Sequence, residues 1–283
     1  MSIAAIVITF NRLELLKKTI SGLKSQTHSI DEIIVVNNGS TDGTLEWLTE
    51  NSDLFVVTQE NVGSSGGQYT AFKTAYERGH DWIWAMDDDV VPRPECLSHL
   101  VANIEKNKIL APLRYSKDGT PFINDTIEFN LSNPFSNIWK RLLKKEDLVN
   151  DIIPATGLTF EGPMFHRSLI EKIGLPEKKF FIFADDSEYM IRAKKAGFSS
   201  YIIHKANLDR MLDAPDLNKE FSWKNYYIIR NIIAIDVLHG NIFVRWLRPF
   251  AYLISWMRKA SNKSDRQTVI KAFKDGYFYK SDN

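Results

Sequence analysis

The sequence predicts an α/β protein with a mostly parallel sheet, and three observations carry that expectation. Up to Met86, short apolar runs alternate with segments of about ten to fifteen residues at helical spacing. The first run, residues 3–9, is almost wholly apolar, as expected of a strand covered on both faces. Polar segments at residues 9–12, 37–42 and 87–89 stand where three of these strands end. In open α/β sheets that is where ligands bind.

The elements follow in order. After the strand at 3–9 comes a helix over 12–24, with Leu13, Leu16, Ile20 and Leu23 on one face. Residues 32–36 form a second strand, and Asn37-Asn38-Gly39-Ser40 is turn chemistry. Asp42 or Thr41 then caps a helix carrying Leu45 and Leu48. A third strand at 54–58, a helix at 66–78 and a fourth strand at 82–86 complete the pattern. Weaker strand signals follow at 109–114, 127–131 and 157–160. A helix near 167–173 precedes an apolar run, Phe180-Phe181-Ile182-Phe183, that reads as a strand. Residues 187–195 read as a helix ended by Gly197, and 200–203 as a strand. After about Ala214 the composition becomes helical, aromatic and basic. In the helix at 245–259, Trp246, Phe250, Leu253, Ile254 and Met257 share one face, with Arg245, Arg248, Arg258 and Lys259 towards the ends. Such a helix fits a membrane surface or a second subunit, and equally a packed core.

The hydrophobic share of 44% and charged share of 25% are those of a globular domain with a full core. A formal net charge of +1 provides no field for nucleic acid. The single Cys96 leaves neither an internal disulfide nor a Cys/His zinc spacing, which fits a reducing cytoplasm. The amino terminus lacks the basic region of a signal peptide, and no apolar run is long enough to span a bilayer.

Two acidic clusters carry the chemistry. Asp87-Asp88-Asp89 follows an apolar strand directly, and adjacent carboxylates at a buried strand end are costly unless a cation compensates them. Carboxylate oxygens suit Mg²⁺ or Mn²⁺, with phosphate oxygens completing the shell. The alternative is a solvated acidic turn. Asp185-Asp186-Ser187-Glu188 offers a base that can take a proton from an attacking hydroxyl, or a cap for the helix that follows. Gly63-Ser64-Ser65-Gly66-Gly67 lets backbone approach a phosphate, though without dinucleotide-fingerprint spacing. No Ser or Cys stands in a nucleophile context near a His.

Taken together, these segments resemble the family-2 glycosyltransferases of the GT-A fold. The matching stretches are 7–12, 35–44 and 60–67, the Asp triplet, and Asp185-Asp186-Ser187-Glu188-Tyr189 with Arg192 and Gly197, in order over about residues 3–205. The Asn-x-Gly-x-x-Gly-Gly segment and the second Asp pair look most like bacterial galactofuranosyltransferases, with rhamnosyltransferases close behind. The resemblance implies a catalytic domain over 1–215 and a helical region over 216–283. It also implies a nucleotide-sugar donor, an acceptor that is a glycan or lipid-linked glycan, and a site at or near the inner face of the cell membrane.

By the same resemblance, Thr9, Phe10, Asn11, Arg12, Asn37, Asn38, Asn61 and Gly67 line the donor pocket. Asp87 and Asp88 lie near the ribose and metal, and Asp185 and Trp223 near the acceptor. Asp89, with Asp87, ligates Mn²⁺ or Mg²⁺, and Asp186 is the general base of an inverting displacement. Two positions depart from the family pattern. Asn37 stands where an aspartate is usual. The metal-binding His usual 24 residues after the base is replaced by Arg210. That leaves His204 or Asp209 to reach the metal, a water or phosphate oxygen in its place, or Arg210 on the diphosphate itself. A rhamnosyltransferase using dTDP-rhamnose, a sugar-nucleotide-binding protein without turnover, and a nucleotidyltransferase are the competing readings.

Overall fold

The computed structural model describes residues 1–213 and 221–281; the expected boundary at 215/216 lies outside them. The chain opens as β1 (Ile3–Thr9), α1 (Leu13–Lys24), β2 (Glu32–Asn37), α2 (Thr44–Glu50), β3 (Phe55–Thr58), α3 (Gly63–Glu77) and β4 (Trp82–Asp87). It continues through β5 (Val90–Pro92), α4 (Cys96–Val101), β6 (Lys108–Tyr115), β7 (Thr126–Phe129), β8 (Trp139–Leu142), β9 (Ile152–Pro154) and β10 (Met164–His166). Next come α5 (Ser168–Ile173), α6 (Asp185–Lys195), β11 (Ser199–Arg210) and three helices, α7 (Lys224–His239), α8 (Ile242–Lys259) and α9 (Lys263–Tyr277).

The main sheet runs β3-β2-β1-β4-β10-β6-β11-β5, with β9 also on β11. Its β3–β4 half is parallel, as is β6 with β11; β10, β5 and β9 join antiparallel. The run in β1 is apolar because both faces are covered. Ile3, Ala5 and Val7 pack into one core layer with Leu16, Ile20 and Trp84, whereas Ala4, Ile6 and Ile8 pack into the other with Phe72 and Phe165. Each Val, Leu, Ile or Phe among them, fully buried, contributes roughly 1.5–3 kcal/mol. Register then positions the chemistry. Thr9 lies opposite Asn37 and Ile8 opposite Asp87, so the polar ends of β1, β2 and β4 finish level with one another.

Three sequence expectations need correction. The glycine-rich stretch at 63–67 is the first turn of α3, not a loop before it. Small residues are needed there because a Cβ on Gly67 would lie 2.6 Å from the Ile8 side chain, and one on Gly63 would lie 2.1 Å from the Phe181 carbonyl oxygen. Residues 157–160 form no strand; Gly157 makes a single bridge to Thr126, and the strand between β4 and β6 is β10. The run at 180–183 is not a strand either. A 3₁₀ turn over Lys178–Phe180 leads into a segment with φ of +64° at Phe181, +76° at Phe183 and +67° at Ala184.

The C-terminal helices pack around α7, whose Ile229, Ile233, Ala234 and Ile235 are buried. Arg248 of α8 is buried with Asp236 of α7, its Nε donating to that carboxylate at 2.8 Å, and it also donates to the carbonyls of Asn130 and Ser136. Removing one partner strands the other charge. Asp236→Ala is therefore expected to lower unfolding free energy by about 3–5 kcal/mol, measured by urea denaturation. A loss below 1 kcal/mol would show that the pair does not hold the C-terminal helices.

Candidate active site

The site begins at the end of β4. Asp87 is half-buried, and Gln68 of α3 donates to its Oδ1 at 3.2 Å. Its carboxyl is raised well above the usual range, first by burial and then by the charges of Asp89, Glu161, Asp88 and Asp185. Asp89 is raised as well, by burial and Glu161, against the pull of Arg12 and Arg210. One carboxylate oxygen from each of Asp87, Asp89 and Glu161 falls within a common radius, all within 4.8 Å of one another. Three hard oxygen donors at that spacing can hold a divalent cation.

Asp88 does something different. Its carboxylate turns inward, accepting from Thr9 Oγ1 at 2.7 Å and Arg12 at 3.1 Å, and burial pushes it up to about 6. Asp88 and Thr9 therefore satisfy each other inside the protein. Arg12 spans the gap, donating also to Asp89 at 2.9 Å. At the neighbouring strand end, the buried Asn37 accepts from the Ser40 amide, and its Nδ2 is without a partner. Asn38 donates to Asn61 Oδ1 and the Gly63 carbonyl, which fixes the start of α3. Asn11, at φ +53°, accepts from the Thr41 amide, and Phe10 beside it is exposed. Asp42 accepts from the amides of both Leu13 and Thr44, so it serves two helix starts rather than one.

Glu161 is the residue sequence reasoning missed. It is a lone acid between Phe160 and Gly162, with no motif to flag it. The Gly162 carbonyl accepts from Trp84 Nε1 at 2.8 Å, which ties this loop to β4. Arg210 Nε donates to Glu161 at 2.8 Å, and Arg114, itself paired with Asp125, donates to it too. These two guanidiniums hold Glu161 ionised below the ordinary range despite its burial. Arg210 arrives there at the end of β11, opposite Val90, the residue after Asp89. Asp209 projects to the other face, paired with Arg93 at 2.8 Å. His204, expected as a metal ligand, is not in the Asp87–Asp89–Glu161 group. It sits at the β11 irregularity between Ile203 and Asn207, with its amide on the Asp151 carbonyl.

The second acidic cluster faces the first. Asp185 and Asp186 stand in the first turn of α6, behind an αL N-cap at Ala184, so neither is the capping residue. The helix dipole favours their negative charge, but burial raises both carboxyls, with Asp186 adding repulsion at Asp185 and Glu161 adding it at Asp186. Asp185 is buried and Asp186 half-buried; Glu161 and Arg114 are felt at Asp186, as Asp185 is at Asp87. Glu188, by contrast, is a structural acid, bonded to Arg192 and to His239 of α7.

Positive φ at three non-glycine residues costs about 1–3 kcal/mol each, and such strain persists only where surroundings impose it. Here α7 imposes it. Asn231 is fully buried, and its Nδ2 lies 2.7–3.0 Å from the carbonyls of Phe180, Ile182 and Phe183. Arg230 donates to those of Lys179 and Phe180. Tyr227 stacks on Phe181 at 4.8 Å, so it packs the segment, while Trp223 meets Phe181 edge-on and remains 61% exposed.

With this geometry in hand, comparison with known proteins defines first the fold and then the family. GalNAc-T7 crystallised with UDP, GalNAc and Mn²⁺ superposes with a TM-score of 0.67 at 12% identity, over 98% of this chain and 56% of that one. S. aureus TarS in complex with UDP gives 0.59 at 17% identity, over 96% and 81%. The fold is thus that of the GT-A glycosyltransferases. The Glycosyl transferase family 2 profile matches residues 4–174, and the chain belongs to that family. The galactofuranosyltransferase GlfT1 of Mycolicibacterium smegmatis is 25% identical over 205 residues, 69% of this chain and 66% of its own length.

Asn231→Ala frees the 180–184 segment and should reduce glycosyl transfer about 10–100-fold, a 1–3 kcal/mol effect on the barrier. Binding of UDP, followed by calorimetry, should not change. Equal loss of both would mean that Asn231 supports the whole fold rather than the α6 aspartates.

Proposed function

We propose that the chain is an inverting, cation-dependent glycosyltransferase. It moves galactofuranose from UDP-galactofuranose to a hydroxyl of a glycan or lipid-linked glycan in surface polysaccharide synthesis. One observation carries this reading: the Asp87–Asp89–Glu161 oxygens and the α6 aspartates lie close enough for their charges to be mutually felt at one end of the sheet. Support for the sugar comes from the resemblance of residues 60–67 and 185–189 to galactofuranosyltransferases, together with the GlfT1 relatives.

The carboxylates fit a resident cation, since Asp87 and Asp89 are driven towards the neutral form by burial and one another, a cost that positive charge removes. Mn²⁺ or Mg²⁺ held by Asp87, Asp89 and Glu161 would neutralise the departing diphosphate. Thr9, Phe10, Asn11, Arg12, Asn37 and the start of α3 would form the donor side, where the Arg12 guanidinium, bonded to Asp89, would add positive charge for the diphosphate. Arg210 adds guanidinium charge next to Glu161, in place of the usual His. Asp186 takes the proton from the attacking hydroxyl, while Asp185 stays buried behind it. The exposed Trp223 ring offers a face for an acceptor sugar.

Donor hydrolysis with Mn²⁺ should consume UDP-galactofuranose and spare dTDP-rhamnose; the opposite preference overturns the sugar assignment. Asp186→Asn is expected to cut transfer by about 10²–10⁴-fold with UDP affinity intact. If the wild type binds UDP and Mn²⁺ yet transfers nothing, the chain is a binding protein.

A base works ionised, and the raised carboxyl of Asp186 is protonated at a pH where an ordinary aspartate is not. The rate kcat/KM should therefore climb with pH along a limb at least one unit above the ordinary value of about 3.9. A limb at the ordinary value would place the base elsewhere.

A further inference from the structure

Among the described residues no helix is long and apolar enough to cross a membrane, yet α8 leaves much of its apolar surface uncovered. Ile242, Phe243, Trp246, Leu247, Phe250 and Ile254 are all exposed, Trp246 by 58%. At 3.6 residues per turn these six fall within an arc of about 140°. The opposite face is the packed one, with Val244, Arg248 and Pro249 buried. Trp246 and Phe250 touch Tyr277 and Phe273 of α9 along one edge, yet both stay about half exposed, so packing accounts for only part of the stripe. Single exposed apolar residues are ordinary on a protein surface, but a contiguous row with three aromatic rings marks a docking face.

Charge identifies what docks. Residues 242–259 contain no acid, and Arg258 and Lys259 are exposed at the carboxyl end of the stripe. Over 242–280 there are nine basic and two acidic residues, a net +7 in a chain whose total is +1, so the rest of the protein is net acidic. Arg248 is buried against Asp236 and takes no part in the surface, which leaves eight basic residues against two acids. Of the two acids, Asp275 is paired with Lys271 and Asp265 accepts from the Ser261 amide near the start of α9. A two-fold contact with a second copy would set this cationic face against itself. An anionic surface with an apolar interior matches both features.

A second element supports this. The N-cap Asn241 donates to the carbonyls of Leu131 and Ser132, and Arg248 donates to those of Asn130 and Ser136. The loop between β7 and β8 is thereby fastened to the amino-terminal end of α8, and within that loop Phe135 is 88% exposed.

We propose that the exposed face of α8, with Phe135 beside its amino terminus, is a docking surface for an anionic lipid bilayer. The aromatic and aliphatic side chains enter the headgroup boundary, and the basic residues of α8 and α9 meet the lipid phosphates. The surface lies outside the carboxylate site and does not depend on which sugar is moved. It would hold the catalytic face next to membrane-borne acceptors.

The full chain should be sedimented with vesicles of phosphatidylcholine containing about one third phosphatidylglycerol, and with phosphatidylcholine alone. Binding to the anionic vesicles, weakened by salt, is expected, with little to the neutral ones. Trp246→Ala combined with Phe250→Ala should lower partitioning at least tenfold, with hydrolysis of soluble donor unchanged. Because these two rings also touch Tyr277 and Phe273 of α9, Ile242→Ala with Phe243→Ala, which leaves those ring contacts intact, should lower it as well. Arg258→Glu with Lys259→Glu should weaken binding to anionic vesicles alone. The proposal is overturned if the wild type stays in the supernatant, or if the Trp246/Phe250 variant binds like the wild type. It is overturned equally if light scattering shows a wild-type dimer that this variant splits, because the face would then belong to a second copy.

Discussion

The structure turns on carboxylate crowding at one end of its sheet. Asp87, Asp89, Glu161, Asp185 and Asp186 converge there, and burial with mutual repulsion raises four of the five; only Glu161, between two guanidiniums, is lowered. Like charges in a low-dielectric site repel strongly, and a fold carrying them needs compensation from outside the set. Arg12, Arg114 and Arg210 supply part of it. The remainder is what a divalent cation would provide, so the arrangement is unfavourable in isolation and complementary to positive charge.

The surrounding fold keeps that crowding in place. The parallel register of β1, β2 and β4 sets their polar ends level, Trp84 anchors the loop that carries Glu161, and α7 holds the strained segment before α6. Two glycines, Gly63 and Gly67, let α3 start against Phe181 and β1 with no side chain between. The C-terminal helices thus have two faces of consequence. One supports the active-site backbone, and the other leaves α8 exposed.

The parallel half of the fold was legible because its physics is local and repeated. An all-apolar run means two covered faces, and β1 splits its alternate residues between two core layers as that rule requires. The aspartate clusters were legible because they follow apolar segments directly. Glu161 was not, since its role depends on a loop brought to β4 by an indole hydrogen bond across 78 residues of sequence. Phe180–Phe183 misled for the opposite reason: an apolar run satisfies strand periodicity, yet the α7 side chains that bend it lie about fifty residues on. His204 looked like a ligand only because it was the nearest histidine in sequence, whereas the β11 irregularity places Arg210 at the site.

In the proposed cation site Glu161 is the third ligand, in the role that the family resemblance would give to a histidine. Titrating Mn²⁺ in the presence of UDP, with free ion read by electron paramagnetic resonance, tests it directly. Glu161→Gln should weaken Mn²⁺ binding by at least about tenfold, the least that losing even a residue orienting a ligand costs, while His204→Ala should leave it unchanged. The reverse result, affinity lost with His204 and kept without the Glu161 charge, would contradict the account.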